Sequence, residues 1–194
     1  QASAQDAKAG DAAGGQKKAD MCIGCHGIPG YQASFPEVYK VPKIAGQNSK
    51  YIVAALNGYK KGERKHPSMR GIAGSLSDQD MADLAAYFEQ LGKSAGDAAV
   101  EKVSTNAQPA LPAAPPEVAK LLEKANCASC HGANFSQPID PSYPKLAGQY
   151  PDYLYAALKA YQTDRNPVLG RNNAIMMGMA RPFTHAEIKL LSQY

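Results

Sequence analysis

The sequence predicts an all-α fold laid down twice in tandem. Three observations carry that expectation. The run Cys22-Ile23-Gly24-Cys25-His26 returns as Cys127-Ala128-Ser129-Cys130-His131. The segments that follow the two runs match each other block by block. Between them, apolar residues recur with a helical period, and no stretch alternates convincingly as a strand.

Cys-x-x-Cys-His is the attachment signature of c-type haem. Each cysteine forms a thioether to one haem vinyl group, and the adjacent histidine is placed under the iron. The two copies use all four cysteines and two of the four histidines. Two haem c are therefore expected, attached through Cys22/Cys25 and Cys127/Cys130, with His26 and His131 on the irons. Structural zinc is the competing chemistry, but a zinc ribbon brings its second pair within about 15–20 residues. Here the pairs stand 105 positions apart, each followed at once by His. No βαβ pattern surrounds them, which argues against a thioredoxin-like dithiol.

The elements follow in order. Residues 12–22 and 117–127 suit a helix leading into each haem motif, with Pro116 at a favoured first-turn position. The first dozen residues are Ala/Gly/Asp/Lys-rich and expected to fray. Next comes Pro42-Lys43-Ile44-Ala45-Gly46-Gln47, repeated 102 residues later as Pro144-Lys145-Leu146-Ala147-Gly148-Gln149. The carbonyls of Pro42 and Pro144 are candidates to accept from the second ring nitrogen of each ligating histidine. Residues 48–59 and 151–161 suit a middle helix. A third block, Met69-Arg70-Gly71-Ile72-Ala73, matches Met176-Met177-Gly178-Met179-Ala180 at an offset of 107. Ser77-Asp78-Gln79-Asp80 reads as a helix start with an acidic first turn. Met81, Leu84, Ala85, Phe88 and Leu91 then form the apolar stripe of an amphipathic helix. Its counterpart starts at Thr184, and Tyr194 aligns with Tyr87, so nothing corresponds to Phe88 and Leu91. The Pro/Ala-rich stretch 103–116 reads as an extended linker between domains at 1–102 and 117–194.

The sixth iron position separates a carrier from a catalyst. Methionine thioether fills that position in high-potential haems. Met69 and Met176 open the repeated Met-x-Gly-x-Ala block, 43 and 45 residues after their own histidines. Met177 aligns with Arg70 and Met179 with Ile72; both remain rivals in the second half. His66 and His185 read as ordinary surface histidines, the first in a polar loop without a counterpart.

Composition narrows the function further. The 194 residues, 44% hydrophobic and 20% charged, suit one large or two small domains. No apolar run approaches the ~18 residues that span a bilayer. The chain opens on polar sequence at Gln1; because c-type haem is normally attached outside the cytoplasm, a secretion signal is expected to have been removed. Formal charge is +4, with 13 Lys/Arg against 11 Asp/Glu in residues 1–102 and 8 against 6 in 103–194. Four haem propionates would roughly cancel it, which excludes a nucleic-acid partner.

The two haem motifs, the doubled Pro-Lys-[Ile/Leu]-Ala-Gly-Gln segment, the doubled Met-x-Gly block and Leu76-Ser77-Asp78-Gln79-Asp80 together resemble the di-haem cytochrome c4 family. The resemblance covers nearly the whole chain. It implies two cytochrome c-like domains, each wrapped around its haem, meeting at a pseudo-two-fold interface. It implies a periplasmic electron carrier rather than an enzyme, loosely membrane-associated in some members, with no small-molecule substrate. The implied route runs from a quinol-oxidising complex to a haem-copper terminal oxidase. The family's ligands map onto His26, Met69, His131 and Met176. One departure is the stretch 30–39, longer than the corresponding loop usually is, which should alter the surface near the first haem. Two other readings compete: an electron-accepting subunit or partner of a dehydrogenase, for example in sulfur oxidation, and a di-haem peroxidase. The paired Met blocks argue against the second.

Overall fold

The structure is a computed structural model that describes residues 9–91, 112–163 and 166–194. The first half runs through α1 (Ala12–Gln16), α2 (Asp20–His26), β1 (Gln32–Ala33), β2 (Tyr39–Lys40), α3 (Ser49–Lys61), β3 (Arg64–Lys65), α4 (Pro67–Ser75) and α5 (Asp78–Leu91). The second runs through α6 (Pro116–Lys124), α7 (Ala128–His131), α8 (Pro151–Gln162), β4 (Gly170–Arg171), α9 (Ala174–Ala180) and α10 (His185–Gln193). The fold is all-α in substance, and the strands are two-residue ladders. In one, Gln32 faces Lys40 and Ala33 faces Tyr39; in the other, Arg64 faces Arg171 and Lys65 faces Gly170.

The last helix of each half starts where the sequence signals it. Ser77 Oγ donates to Asp80 at 2.6 Å and accepts from the Asp80 N–H at 3.1 Å. Thr184 and Glu187 form the matching capping box in α10. Both arrangements satisfy N–H groups that a helix start leaves unpaired. Behind the first cap, Met81, Leu84, Ala85 and Phe88 are buried against Ala19, Ile52 and Leu76. The second core is smaller, built on Leu121, Phe183 and Ile188.

The expected single helix over 12–22 is in fact two. Lys18 N–H and Ala19 N–H reach only three residues back, to Gly15 and Gln16, the tight 3₁₀ spacing that ends a helix. The haem motif then lies within α2 rather than after it. In the second half, α6 stops at Lys124 because Asn126 adopts φ 47°, a left-handed conformation that asparagine tolerates. Residues 9–12, expected to fray, are tied down: the Asp11 side chain caps α1, and its N–H donates to Asp83 at 2.9 Å. The expected linker lies outside the described residues up to position 111.

The halves meet about a local pseudo-dyad. Gln149 of the second half pairs through both amide atoms with Lys43 of the first. Gln47 of the first pairs identically with Lys145 of the second. The β3–β4 ladder is a further seam. The long 30–39 stretch does more than alter a surface near one site. It forms the β1–β2 hairpin and straps the first half to the second: Glu37 accepts from Lys159 at 3.1 Å, and Lys40 N–H donates to Asp152 at 2.9 Å.

Candidate haem sites

One cavity of about 1100 Å³ receives all four cysteines together with His26, Met69, His131 and Met176. That is at or beyond the upper end of the ~300–1,000 Å³ typical of a pocket for one small ligand. It runs across the seam between the halves, with walls from both.

In the first half, α2 places Cys22 and Cys25 three residues apart, on one helix face. Cys25 is exposed and Cys22 half-buried; burial, with Cys25 beside it, pushes the Cys22 thiol up to about 11. His26 Nδ1 lies 2.8 Å from the Pro42 carbonyl oxygen. A carbonyl can only accept, so Nδ1 carries the proton and Nε2 keeps its lone pair. The second half repeats this: His131 Nδ1 lies 3.0 Å from the Pro144 carbonyl. Burial holds both imidazoles below their ordinary value, in the neutral state that a metal ligand requires. The two proline carbonyls thus do what the repeat suggested.

Met69 and Met176 sit on helices that periodicity did not predict, α4 and α9. The two are placed alike. Met69 N–H donates to His66 Nδ1 at 3.3 Å, and Met176 N–H donates to Asn173 Oδ1 at 3.0 Å. His66 and Asn173 are the N-caps, 107 residues apart like the methionines. His66 is therefore not the surface histidine without a counterpart that the sequence suggested. It is half-buried, lines the cavity and has Asn173 as its equivalent. Met176 and Met179 line the cavity, and Met177 does not. His185 is exposed, as expected.

Sequence reasoning missed a polar cluster where the seam crosses the cavity. The β3–β4 ladder sets Arg64 opposite Arg171. Arg64 Nη2 donates to the Tyr51 hydroxyl at 3.1 Å and Arg171 Nη2 to that of Tyr153 at 2.9 Å. Each guanidinium also lies over two tyrosine rings, Tyr51 and Tyr59 for one, Tyr153 and Tyr161 for the other. Among the described residues neither arginine has a carboxylate in ion-pair range. Interior cations require a counter-charge, and these face the cavity. Haem propionates are anionic groups of the required kind, so the polar end of the cavity fits haem as the cysteines do. A signal existed: each arginine stands five residues before its methionine. Tetrahedral zinc needs converging donors, and among the described residues no group of three or more His, Cys, Asp or Glu is placed to hold a metal ion.

Known proteins arrange themselves around this duplicated site. The family model for cytochrome c matches residues 12–92 and again 117–194. A cytochrome c4 of Pseudomonas aeruginosa is 32% identical over 187 residues, covering 96% of this chain and 88% of the relative. The chain belongs to the cytochrome c4 family. The crystal structure of reduced cytochrome c4 from Pseudomonas stutzeri superposes with a TM-score of 0.63 at 30% identity, covering 96% of this chain and 97% of that one. A thiosulfate dehydrogenase electron acceptor of Stutzerimonas stutzeri is 30% identical over 197 residues, covering 100% of this chain and 87% of the relative. As a cytochrome c4 family member, the chain comprises two tandem cytochrome c domains and carries two haem c, bound through Cys22/Cys25 and Cys127/Cys130. It is an electron-transfer protein that works with redox protein partners. No helix among the described residues is long and apolar enough to cross a membrane.

Proposed function

We propose that this chain is a periplasmic carrier that accepts electrons singly from a quinol-oxidising complex and passes them to a terminal oxidase. Its domains are 1–102 and 117–194, with 103–116 as the linker. His26 with Met69, and His131 with Met176, would hold the two haem irons. Each haem supplies one iron that cycles between ferric and ferrous states. The protein's part would be to supply both ligands to each iron from fixed side chains. The observation that carries the reading is the duplication itself. In both halves a histidine with its Nδ1 proton fixed on a proline carbonyl shares the cavity with a methionine capped at the third position of a short helix. Rigid, closed ligation suits electron transfer, and His/Met pairs favour the higher end of the haem potential range.

The ligand set is tested by the weak near-infrared band of Met–iron ligation. Met69→Ala and Met176→Ala should each remove half of it and lower one potential. A full band in Met176→Ala would move the second ligand to Met179, the other methionine on that wall. Redox titration should require two one-electron components, and ferrous protein at neutral pH should not bind carbon monoxide.

A second reading is favoured by one observation, the full-length similarity to a thiosulfate dehydrogenase electron acceptor. On that reading the donor is a dehydrogenase. Stopped-flow reduction by a purified quinol-oxidising complex and by a thiosulfate dehydrogenase, side by side, separates the two.

A further inference from the structure

The peptide unit that joins Pro42 to Lys43 is engaged on both edges. Its carbonyl accepts from His26 Nδ1 at 2.8 Å, and its N–H donates to Gln149 Oε1 at 3.0 Å. Gln149 belongs to the other half. The dyad-related unit, Pro144–Lys145, is engaged the same way: its carbonyl accepts from His131 Nδ1 at 3.0 Å, and its N–H donates to Gln47 Oε1 at 2.9 Å. So one amide plane in each half connects that half's histidine to the opposite half's glutamine.

The glutamines are held in this orientation. Each amide NH₂ donates back across the seam, Gln149 to the Lys43 carbonyl at 2.9 Å and Gln47 to the Lys145 carbonyl at 3.0 Å. Each Oε1 also accepts from the next backbone N–H, that of Asn48 or Tyr150. Gln47 is buried and Gln149 half-buried.

Conjugation across an amide links its two edges. Donation from the N–H polarises the carbonyl and makes it a better acceptor, because hydrogen bonds in a chain reinforce one another. A better acceptor for the Nδ1 proton makes the imidazole a stronger electron donor, and outer partners of this kind tune a bound metal. We propose that the halves tune each other's haem: Gln149 sets the ligand strength of His26, and Gln47 that of His131. The inference rests on the axial roles of His26 and His131 proposed above. The competing account is that the glutamines only fasten the halves together.

Gln149→Met and Gln47→Met in the full-length holoprotein separate the two accounts. Redox titration is read with the haems assigned by NMR, together with the Nδ1–H resonances of His26 and His131 in the reduced protein. In Gln149→Met, the haem on Cys22/Cys25 should rise in potential and the His26 Nδ1–H resonance move upfield. The haem on Cys127/Cys130 and His131 should stay put. Gln47→Met should give the reverse. Should a methionine variant not fold, Gln149→Glu keeps an acceptor oxygen of greater strength and should move the His26 resonance downfield. Equal shifts of both haems, shifts confined to the mutated half, or unchanged resonances in a folded protein would overturn the proposal. The wild-type spectrum tests the foundation separately. If it lacks the ring-current-shifted imidazole signals of bound His26 and His131, the ligand reading fails and takes the cross-tuning with it. If those signals are present and the crossed pattern is absent, only the cross-tuning fails.

Discussion

Asp83 shows how a single carboxylate can fix the entry of a chain. It is 5% exposed and accepts from the Asp11 N–H at 2.9 Å, from Gln79 at 2.8 Å and from Lys18 at 3.0 Å. Lys18 also reaches Asp80 at 2.6 Å. The Asp11 N–H first, then Gln79 and Lys18, hold Asp83 below the usual carboxylate range; Lys18 and Ser77 do the same for Asp80. A carboxyl whose folded value is depressed binds protons more readily when unfolded. Its contribution is therefore present above the unfolded value of about 4 and lost as pH falls through the lower folded values. Asp83→Asn should weaken the first half at pH 7 and flatten the acid limb of its stability below about pH 4; urea midpoints across pH measure both. A second residue-scale expectation concerns His66. His66→Ala removes the cap of α4 and should cost about 1 kcal/mol, read by thermal melting. His66→Asn should restore the loss, because Asn173 already does that job in α9.

At the scale of elements, α1 crosses α5 at a glycine. A methyl group on Gly15 would run into the Asp83 carbonyl, and backbone cannot step aside as a side-chain tip can. Gly15→Ala should cost roughly 1–3 kcal/mol, measured by denaturant unfolding. Gly74 is the control: it lies in α4 at negative φ with nothing near its absent Cβ, and Gly74→Ala should gain about 0.4–1 kcal/mol. Helix α5 was readable because its stripe of Met81, Leu84, Ala85 and Phe88 is long and faces one core. Helices α4 and α9 were not, because the Met-x-Gly blocks are short and glycine-bearing. The cap that starts α4 is a histidine, outside the usual Ser, Thr, Asp and Asn. The ladders escaped because two residues cannot show an alternation.

For the whole molecule, legibility followed range. The haem attachment and the proline carbonyls rest on contacts within some sixteen residues of one another, so spacing and repetition exposed them. The pairing of Arg64 with Arg171 and the glutamine contacts arise only when the halves dock, and sequence carried them only as unexplained matches in the repeat. Their weight is testable. Arg171→Met removes an interior cation facing the cavity and should lower the potential of the nearer haem. If a propionate is the counter-charge, it should destabilise the holoprotein by about 3–5 kcal/mol; calorimetry and redox titration check the two effects. The reciprocal pairing of Lys43 with Gln149 and of Lys145 with Gln47 carries one more consequence. A contact in which each side presents the same patch is isologous, the geometry of a two-fold homodimer. At this patch each half is therefore complementary to a copy of itself, while the 30–39 strap has no counterpart on the other side. The covalent connection between the halves then contributes effective concentration. It also fixes which side meets which, so the two sides of this handshake are free to differ.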